Sequence, residues 1–257
     1  LGFKTSSKTM FFFKKRASEA SHTGILEFME TDIHSHLVPG IDDGVKDLET
    51  SLTFIEQLQE MGIKKIITTP HIILDRYPNS VDTITPPFSG VKAALREKGN
   101  NIAISFAAEY YMDEQFEELI PSTPLLTLQD KLILVEMSFM QAPPQLHQWL
   151  FKLASHGYQP VLAHPERYNH YHDQYDQYEQ LREWGCLLQV NLLSITGYYG
   201  KQIQKVAEKL LADKMITFIG TDLHHHKHMQ AIQSIGKDKK LMKMLDQYGF
   251  RNRELTQ

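Results

Sequence analysis

Histidine and carboxylate residues recur along this chain where apolar runs end. The first group is Asp32-Ile33-His34-Ser35-His36. In extended backbone His34 and His36 project to the same side, because the strand period is two, so both imidazoles can reach one ion. His71 follows Ile66-Ile67-Thr68-Thr69-Pro70, and Glu109 follows Phe106-Ala107-Ala108. Glu136 closes Leu134-Val135, and His164 closes Val161-Leu162-Ala163. Phe218-Ile219-Gly220-Thr221 then leads into Asp222-Leu223-His224. Any one of these residues is as readily explained by a structural hydrogen bond. Together they point to metal, since Glu109 and Glu136 end apolar stretches where an unpaired carboxylate is costly to bury. The donors are imidazole and carboxylate without thiolate, a set suited to Mn, Fe, Co or Zn. They outnumber the ligands of a single ion. A site with several ions stabilises both the attacking and the leaving oxygen of a phosphoryl transfer and lowers the pKa of bound water. Hydrolysis of a phosphoester is the chemistry indicated.

Such residues need a scaffold that brings strand ends together. From Thr31 onward short apolar runs alternate with longer amphipathic ones, the pattern of repeated strand-then-helix units. Strands are expected at Ile66–Thr69, Ile102–Ala107, Leu132–Glu136, Pro160–Ala163, Leu187–Asn191 and Met215–Gly220. Helices are expected at Leu48–Met61, Val91–Lys98, Gln145–His156, Tyr175–Trp184, Lys201–Lys214 and near Ala231–Tyr248. Parallel strands need helical crossovers, so six or seven units predict a barrel-like α/β domain. Active sites of such barrels lie at the carboxyl ends of the strands, where these residues fall. Asp75–Gly90, with Pro78, Pro86 and Pro87, is expected to be a loop or irregular lid. Residues 1–30 are expected to be a flexible extension and 31–257 a single domain.

The sequence resembles the PHP (polymerase and histidinol phosphatase) superfamily, and within it the manganese-dependent tyrosine phosphatases of bacterial capsule and exopolysaccharide systems. The resemblance runs from about Thr31 to the C-terminus through five ordered motifs: TDIHSHLVPGIDDG (31–44), TTPH (68–71), AAEYY (107–111), AHPERY (163–168) and GTDLH (220–224). NLLSITGYYG (191–200) is also similar to that subgroup. The resemblance implies a distorted (β/α)7 barrel holding up to three metal ions. His34, His36, Glu109 and Asp222 would hold one ion; Glu109, Glu136 and His164 a second; Asp43, His71 and His224 a third, with Glu109 bridging. Of the two carboxylates in DDG, Asp43 rather than Asp42 matches the ligand position. It implies direct attack of a metal-activated hydroxide on phosphorus, with a tyrosine kinase of capsule or exopolysaccharide synthesis as the phosphotyrosine substrate.

Arg167, in HPER, carries a planar donor fork suited to a phosphate and is the candidate catalytic residue; a surface salt bridge to Glu166 or Asp173 is the alternative. The family pattern has an arginine five residues beyond the last motif histidine, where this chain has Met229; Lys227 or His228 are possible substitutes. Only His224 of the run His224-His225-His226-Lys227-His228 is assigned to metal. His225, His226 and His228 are expected to face solvent, with proton donation to a leaving phenolate as the alternative. His147, His156, His170 and His172 are read as structural or exposed. Tyr110 and Tyr111 either line the pocket or pack.

Composition narrows the field. Hydrophobic residues are 42% and charged residues 23%, enough apolar content for a substantial core. The formal charge of −4 leaves no electrostatic footprint for general nucleic-acid binding. The single cysteine, Cys186, excludes an internal disulfide and a zinc finger, and leads to the expectation of a cytoplasmic protein. It sits in the apolar WGCLLQV, and the residues after it lack the glycine and arginine of a phosphate-cradling loop, so a cysteine nucleophile is disfavoured. No run approaches the roughly 18 apolar residues needed to span a bilayer. Met10-Phe11-Phe12-Phe13 precedes Lys14-Lys15-Arg16, the reverse of an export signal; a disordered tail or a weak peripheral membrane contact fits it. Phosphotyrosine hydrolysis thus competes with a small-metabolite phosphatase, of the histidinol phosphate type, and with a non-catalytic metal-stabilised module. The full ligand set argues against the last.

Overall fold

The computed structural model of the protein describes residues 24–122 and 124–256. Its strands are β1 (Thr31–Asp32), β2 (Lys65–Thr68), β3 (His71–Ile72), β4 (Ala103–Phe106), β5 (Glu109–Tyr111), β6 (Leu132–Glu136), β7 (Gln159–Ala163), β8 (Leu187–Asn191) and β9 (Phe218–Gly220). Every strand pairing is parallel, in the orders β1-β2-β4 and β3-β5-β6-β7-β8-β9. β3 resumes the path of β2 after Thr69-Pro70, where proline has no N–H to give to a ladder. β5 likewise resumes β4 after Ala107-Ala108. Counted as continuous paths, the strands make seven staves. The outermost two meet where Asp222 N–H donates to the His34 carbonyl (2.7 Å) and His36 N–H to that of Leu223 (3.0 Å). This is the expected distorted (β/α)7 barrel.

The seam between β1 and β9 is filled by side chains. Buried Asn252 donates through Nδ2 to the carbonyls of Thr31 (2.9 Å) and Ile219 (2.7 Å), and accepts from Ile219 N–H (3.0 Å). One amide thus satisfies backbone groups of both edge strands that would otherwise be buried unpaired.

The helices are α1 (Leu48–Glu60), α2 (Val81–Glu97), α3 (Glu114–Ser122), α4 (Leu146–Ser155), α5 (Asp176–Glu183), α6 (Leu192–Ile195), α7 (Lys201–Ala212), α8 (His226–Ser234) and α9 (Lys239–Tyr248). Side chains alternate across the strands. Ile67, Leu134, Val161, Ala163 and Phe218 belong to a compact inner cluster, whereas Ile66, Ile133, Val135, Leu162 and Ile219 pack outward with the helices. The same period of two carries Leu134 to Glu136, so the strands that fill the barrel also aim its polar end residues.

Three expectations are corrected. The proline-rich segment is largely helix, not a lid: Ser80 and Thr83 form a reciprocal capping box, and Pro86 and Pro87 lie within α2. Two prolines cost helix hydrogen bonds, but Ile84, Phe88, Val91 and Leu95 recur on one buried face, and that burial prevails. The final helix is broken in two, because the Asp238 side chain accepts from the N–H groups of Lys240 and Leu241 and starts α9 afresh. Residues 24–30, assigned to the extension, contribute buried Leu26, Phe28 and Met29 to the core. The aromatic and basic stretch 10–16 lies outside the described residues. Among the described residues no helix is long and apolar enough to cross a membrane.

Candidate metal centre

The carboxyl ends of the staves converge on one cluster. His34 and His36 follow β1; His71 opens β3; Glu109 opens β5; Glu136 ends β6; His164 follows β7; Asp222 and His224 follow β9. Asp43 reaches in from the loop before α1. All nine donors expected from the sequence are brought together, in four overlapping groups whose ligand atoms lie within 4.8 Å of one another: His36, Asp43, His71 and His224; His34, His36 and Asp222; His34, Glu109 and His164; His71, Glu109 and Glu136. The grouping differs from the implied one: Glu109 is not in the group of His34, His36 and Asp222, and His36 also joins Asp43, His71 and His224. His164 sits with His34 and Glu109 rather than with Glu136, and His71 faces two groups at once. Its Nδ1 is 3.0 Å from Glu136 and 3.2 Å from Glu109, while Nε2 is 3.4 Å from Asp43. A neutral imidazole has one lone pair, so His71 can ligate through only one of them.

Glu109 is the hub. Its Oε2 lies 3.2 Å from His34 Nε2, 3.4 Å from His36 Nε2 and 3.2 Å from His71 Nδ1, and its Oε1 is 3.1 Å from His164 Nε2. Yet His34 Nε2, His36 Nε2, His71 Nδ1 and Glu109 Oε2 are buried without a hydrogen-bond partner among the described residues. Close polar atoms that converge without bonding one another match lone pairs aimed at a cation between them, and the N and O donor set suits a divalent transition metal. Charge follows the same logic. Burial pushes the His34 imidazole down, but the negative charges of Glu109 and Asp222 outweigh it and raise it to about 9. Burial likewise opposes ionisation of Glu109 and Asp222, and facing histidines hold both well below the usual carboxylate range.

Two candidate ligand positions adopt left-handed backbone, His164 at φ 36° and Asp222 at φ 50°. Non-glycine residues rarely do so, and such strain concentrates at functional sites. Two glycines make room for the HxH pair. A Cβ on Gly44 would come within 2.4 Å of His36 Cβ, and one on Gly220 within 2.6 Å of His34 Cβ.

An outer layer, missed in the sequence, fixes the imidazoles. His36 Nδ1 is 2.9 Å from Asp42 Oδ2, which also accepts from His71 N–H at 3.1 Å. His34 Nδ1 is 2.7 Å from Gln189 Oε1, and His224 Nδ1 is 2.9 Å from the Asp222 carbonyl. Each contact ties back Nδ1 and leaves Nε2 free to face the cleft. The first carboxylate of DDG is therefore a positioning group for His36. Asp32 accepts from Thr221 N–H (3.0 Å) and Oγ1 (2.7 Å), joining the two ends that carry His34 and Asp222. The signal for Asp42 was its place beside Asp43; Gln189, two residues before the end of an apolar strand, gave none. Asp42→Asn, with folding checked by circular dichroism, is expected to weaken metal affinity roughly 10- to 100-fold, as loss of a ligand's outer partner does. Unchanged affinity in a metal titration would contradict that role.

Arg167 pairs with neither Glu166 nor Asp173. Its Nη1 donates to Asp222 Oδ2 at 2.9 Å, a carboxylate oxygen that also accepts from Asn191 Nδ2 at 2.7 Å. Glu166 is buried behind it and accepts from Asn191 N–H. Met229, at the position where the family pattern has an arginine, is buried on α8. His228 is buried, not solvated: its Nδ1 is 3.1 Å from the Asp222 carbonyl, and burial lowers it to about 4. His225 caps α8 by accepting from His228 N–H, and His226 is exposed. Tyr110 packs in the core, its hydroxyl accepting from Leu126 N–H.

Comparison with known proteins agrees with this architecture. The tyrosine-protein phosphatase CpsB of Streptococcus agalactiae serotype III is 30% identical over 200 residues, covering 76% of this chain and 82% of that protein. The tyrosine-protein phosphatase YwqE of Bacillus subtilis is 29% identical over 197 residues, covering 76% and 78%. A chain from the crystal structures of YwqE from Bacillus subtilis and CpsB from Streptococcus pneumoniae, described as unique metal-dependent tyrosine phosphatases, superposes with a TM-score of 0.73 at 28% identity, over 84% of this chain and 90% of that one. The family model for capsular polysaccharide synthesis, CpsB/CapC, matches residues 30–245. This chain belongs to the CpsB/CapC family.

Proposed function

We propose that this protein is a metal-dependent protein-tyrosine phosphatase, that manganese is its metal, and that its substrate is a phosphorylated tyrosine kinase of capsule or exopolysaccharide synthesis. The observation that carries the reading is the convergence of buried, unbonded imidazole and carboxylate atoms on one point beside an arginine fork. His34, His36, Asp43, His71, Glu109, Glu136, His164, Asp222 and His224 would hold two or three divalent ions. Bound there, such ions activate water and neutralise charge on the phosphoryl oxygens. The chain's own residues do the rest. Asp42 and Gln189 hold the His36 and His34 rings, Glu109 balances the surrounding imidazoles, and Arg167, steadied by Asp222, presents its remaining N–H donors to a phosphoryl oxygen. Cys186 has no part: it is buried, and burial pushes its thiol up to about 12, too high for a nucleophilic thiolate.

Turnover of a phosphotyrosine peptide should be lost on chelation and return with added manganese, and should exceed turnover of histidinol phosphate and of a phosphoserine peptide. Cys186→Ala should keep most activity. Manganese uptake near neutral pH should release protons, because His34 must be neutral to coordinate; calorimetry in two buffers of different ionisation heat reads this. Activity that survives complete chelation, or a preference for histidinol phosphate, would overturn the reading.

A further inference from the structure

The barrel rim around Arg167 is aromatic. The guanidinium carbon lies 4.4 Å from the Tyr199 ring centroid and 5.0 Å from that of Phe139. Tyr199 comes from the segment between α6 and α7, and Phe139 from the segment between β6 and α4. Tyr199 is committed on two sides, with its ring on Arg167 and its hydroxyl 3.4 Å from His228 Nε2. Tyr168 is buried, its hydroxyl accepting from Met137 N–H. Phe139 is different. It stacks on the His164 ring at 5.6 Å and 24° and leans on Tyr168 at 5.4 Å, yet leaves 43% of its surface exposed.

A lone exposed apolar side chain is ordinary on a protein surface. What sets Phe139 apart is what its covered part touches: a candidate metal ligand and the candidate phosphate-binding arginine. Contacts with His164, Arg167 and Tyr168 also order the ring in advance, so less side-chain freedom is lost when a ligand arrives. A phosphoryl group received by Arg167 brings its ester substituent to this rim. In an aryl phosphate the ring is bonded directly to the ester oxygen, so fixing the phosphoryl group also confines a flat apolar face. An alkyl ester such as phosphoserine offers a methylene instead.

We propose that Phe139 is the aryl-recognition residue, its free surface packing on the phenol ring of phosphotyrosine and so selecting aryl over alkyl phosphates. This rests on the phosphatase reading above and names the residue that gives it tyrosine specificity. The test uses metal-loaded protein and two non-hydrolysable probes, phenylphosphonate and methylphosphonate, titrated by calorimetry. Wild type should bind the phenyl compound about tenfold more tightly, the scale of one aromatic pair together with its buried area. Phe139→Leu, which keeps apolar volume over Arg167 and His164, should bring that ratio close to one at unchanged metal content. It should also raise KM for a phosphotyrosine peptide more than it lowers kcat. Phe139→Trp should retain the preference. An unchanged ratio in Phe139→Leu, equal weakening of both probes, or loss of the preference in Phe139→Trp would overturn the proposal. If the wild type hydrolyses no phosphoester, the phosphatase reading fails by itself, while the binding ratio still decides the role of Phe139.

Discussion

Glu109→Ala is expected to abolish measurable phosphatase activity and to release at least one metal ion, while the barrel stays folded. Glu109 is within 3.4 Å of four imidazoles, those of His34, His36, His71 and His164, and is itself fully buried. Removing it deletes a ligand common to two of the four donor groups and leaves its histidines without their central counter-charge. The loss in catalytic efficiency should exceed the roughly 10- to 100-fold expected for an outer partner such as Asp42. Asp43→Ala makes the useful comparison, because the Asp43 side chain is 46% exposed and belongs to one group only. It should lose less metal and less activity. Glu109→Gln separates charge from shape: the amide fills the same space but cannot balance the imidazoles, so it should behave like the alanine variant. Metal analysis of dialysed protein beside steady-state kinetics decides the matter. Full metal content with near-normal activity in Glu109→Ala would remove Glu109 from the centre of the site.

Arg167→Ala is expected to lower catalytic efficiency toward a phosphotyrosine peptide by roughly 10²- to 10³-fold, the scale of losing one preorganised donor to a developing oxyanion. Metal content should change far less than in Glu109→Ala. Some loosening is expected, because Arg167 donates to Asp222 at 2.9 Å and helps hold that carboxylate ionised. Arg167→Lys should recover part of the activity. A compact ammonium can replace the charge beside Asp222 but not the paired, planar hydrogen bonds of a guanidinium, nor its flat contact with the Tyr199 and Phe139 rings. Inhibition by inorganic phosphate should weaken in parallel, since the lost contact is to phosphate rather than to the peptide. If Arg167→Ala keeps full efficiency, its bond to Asp222 is its whole role.

The candidate donor set was legible because chemistry confines it. Imidazoles and carboxylates at the ends of apolar strands have few innocent explanations, and the period of two aligns His34 with His36 without any tertiary information. The alternation of strand and helix likewise required parallel staves with crossovers. Phe139 and Gln189 carried no such mark, since a phenylalanine in a loop and a glutamine in a strand are chemically ordinary until their neighbours are known. His228 was misread for the same reason. Within a run of histidines it looks solvated, but the cap formed by His225 turns α8 so that His228 falls under Tyr198 and Tyr199.

By itself the sequence determined the donor types, their order, and the element type that carries each, because these depend on side-chain chemistry and local periodicity. Tertiary structure alone decided how the donors are shared. His164 lies close to His34 and Glu109, His71 faces one group with Nδ1 and another with Nε2, of which only one can ligate, and Asp42 steps back to hold His36. Those outcomes depend on the left-handed turns at His164 and Asp222 and on the close approach of Gly44 and Gly220 to the HxH pair. Ångström-scale displacements of this kind arise from closing seven staves around a small apolar plug, a global constraint that no local stretch of residues encodes.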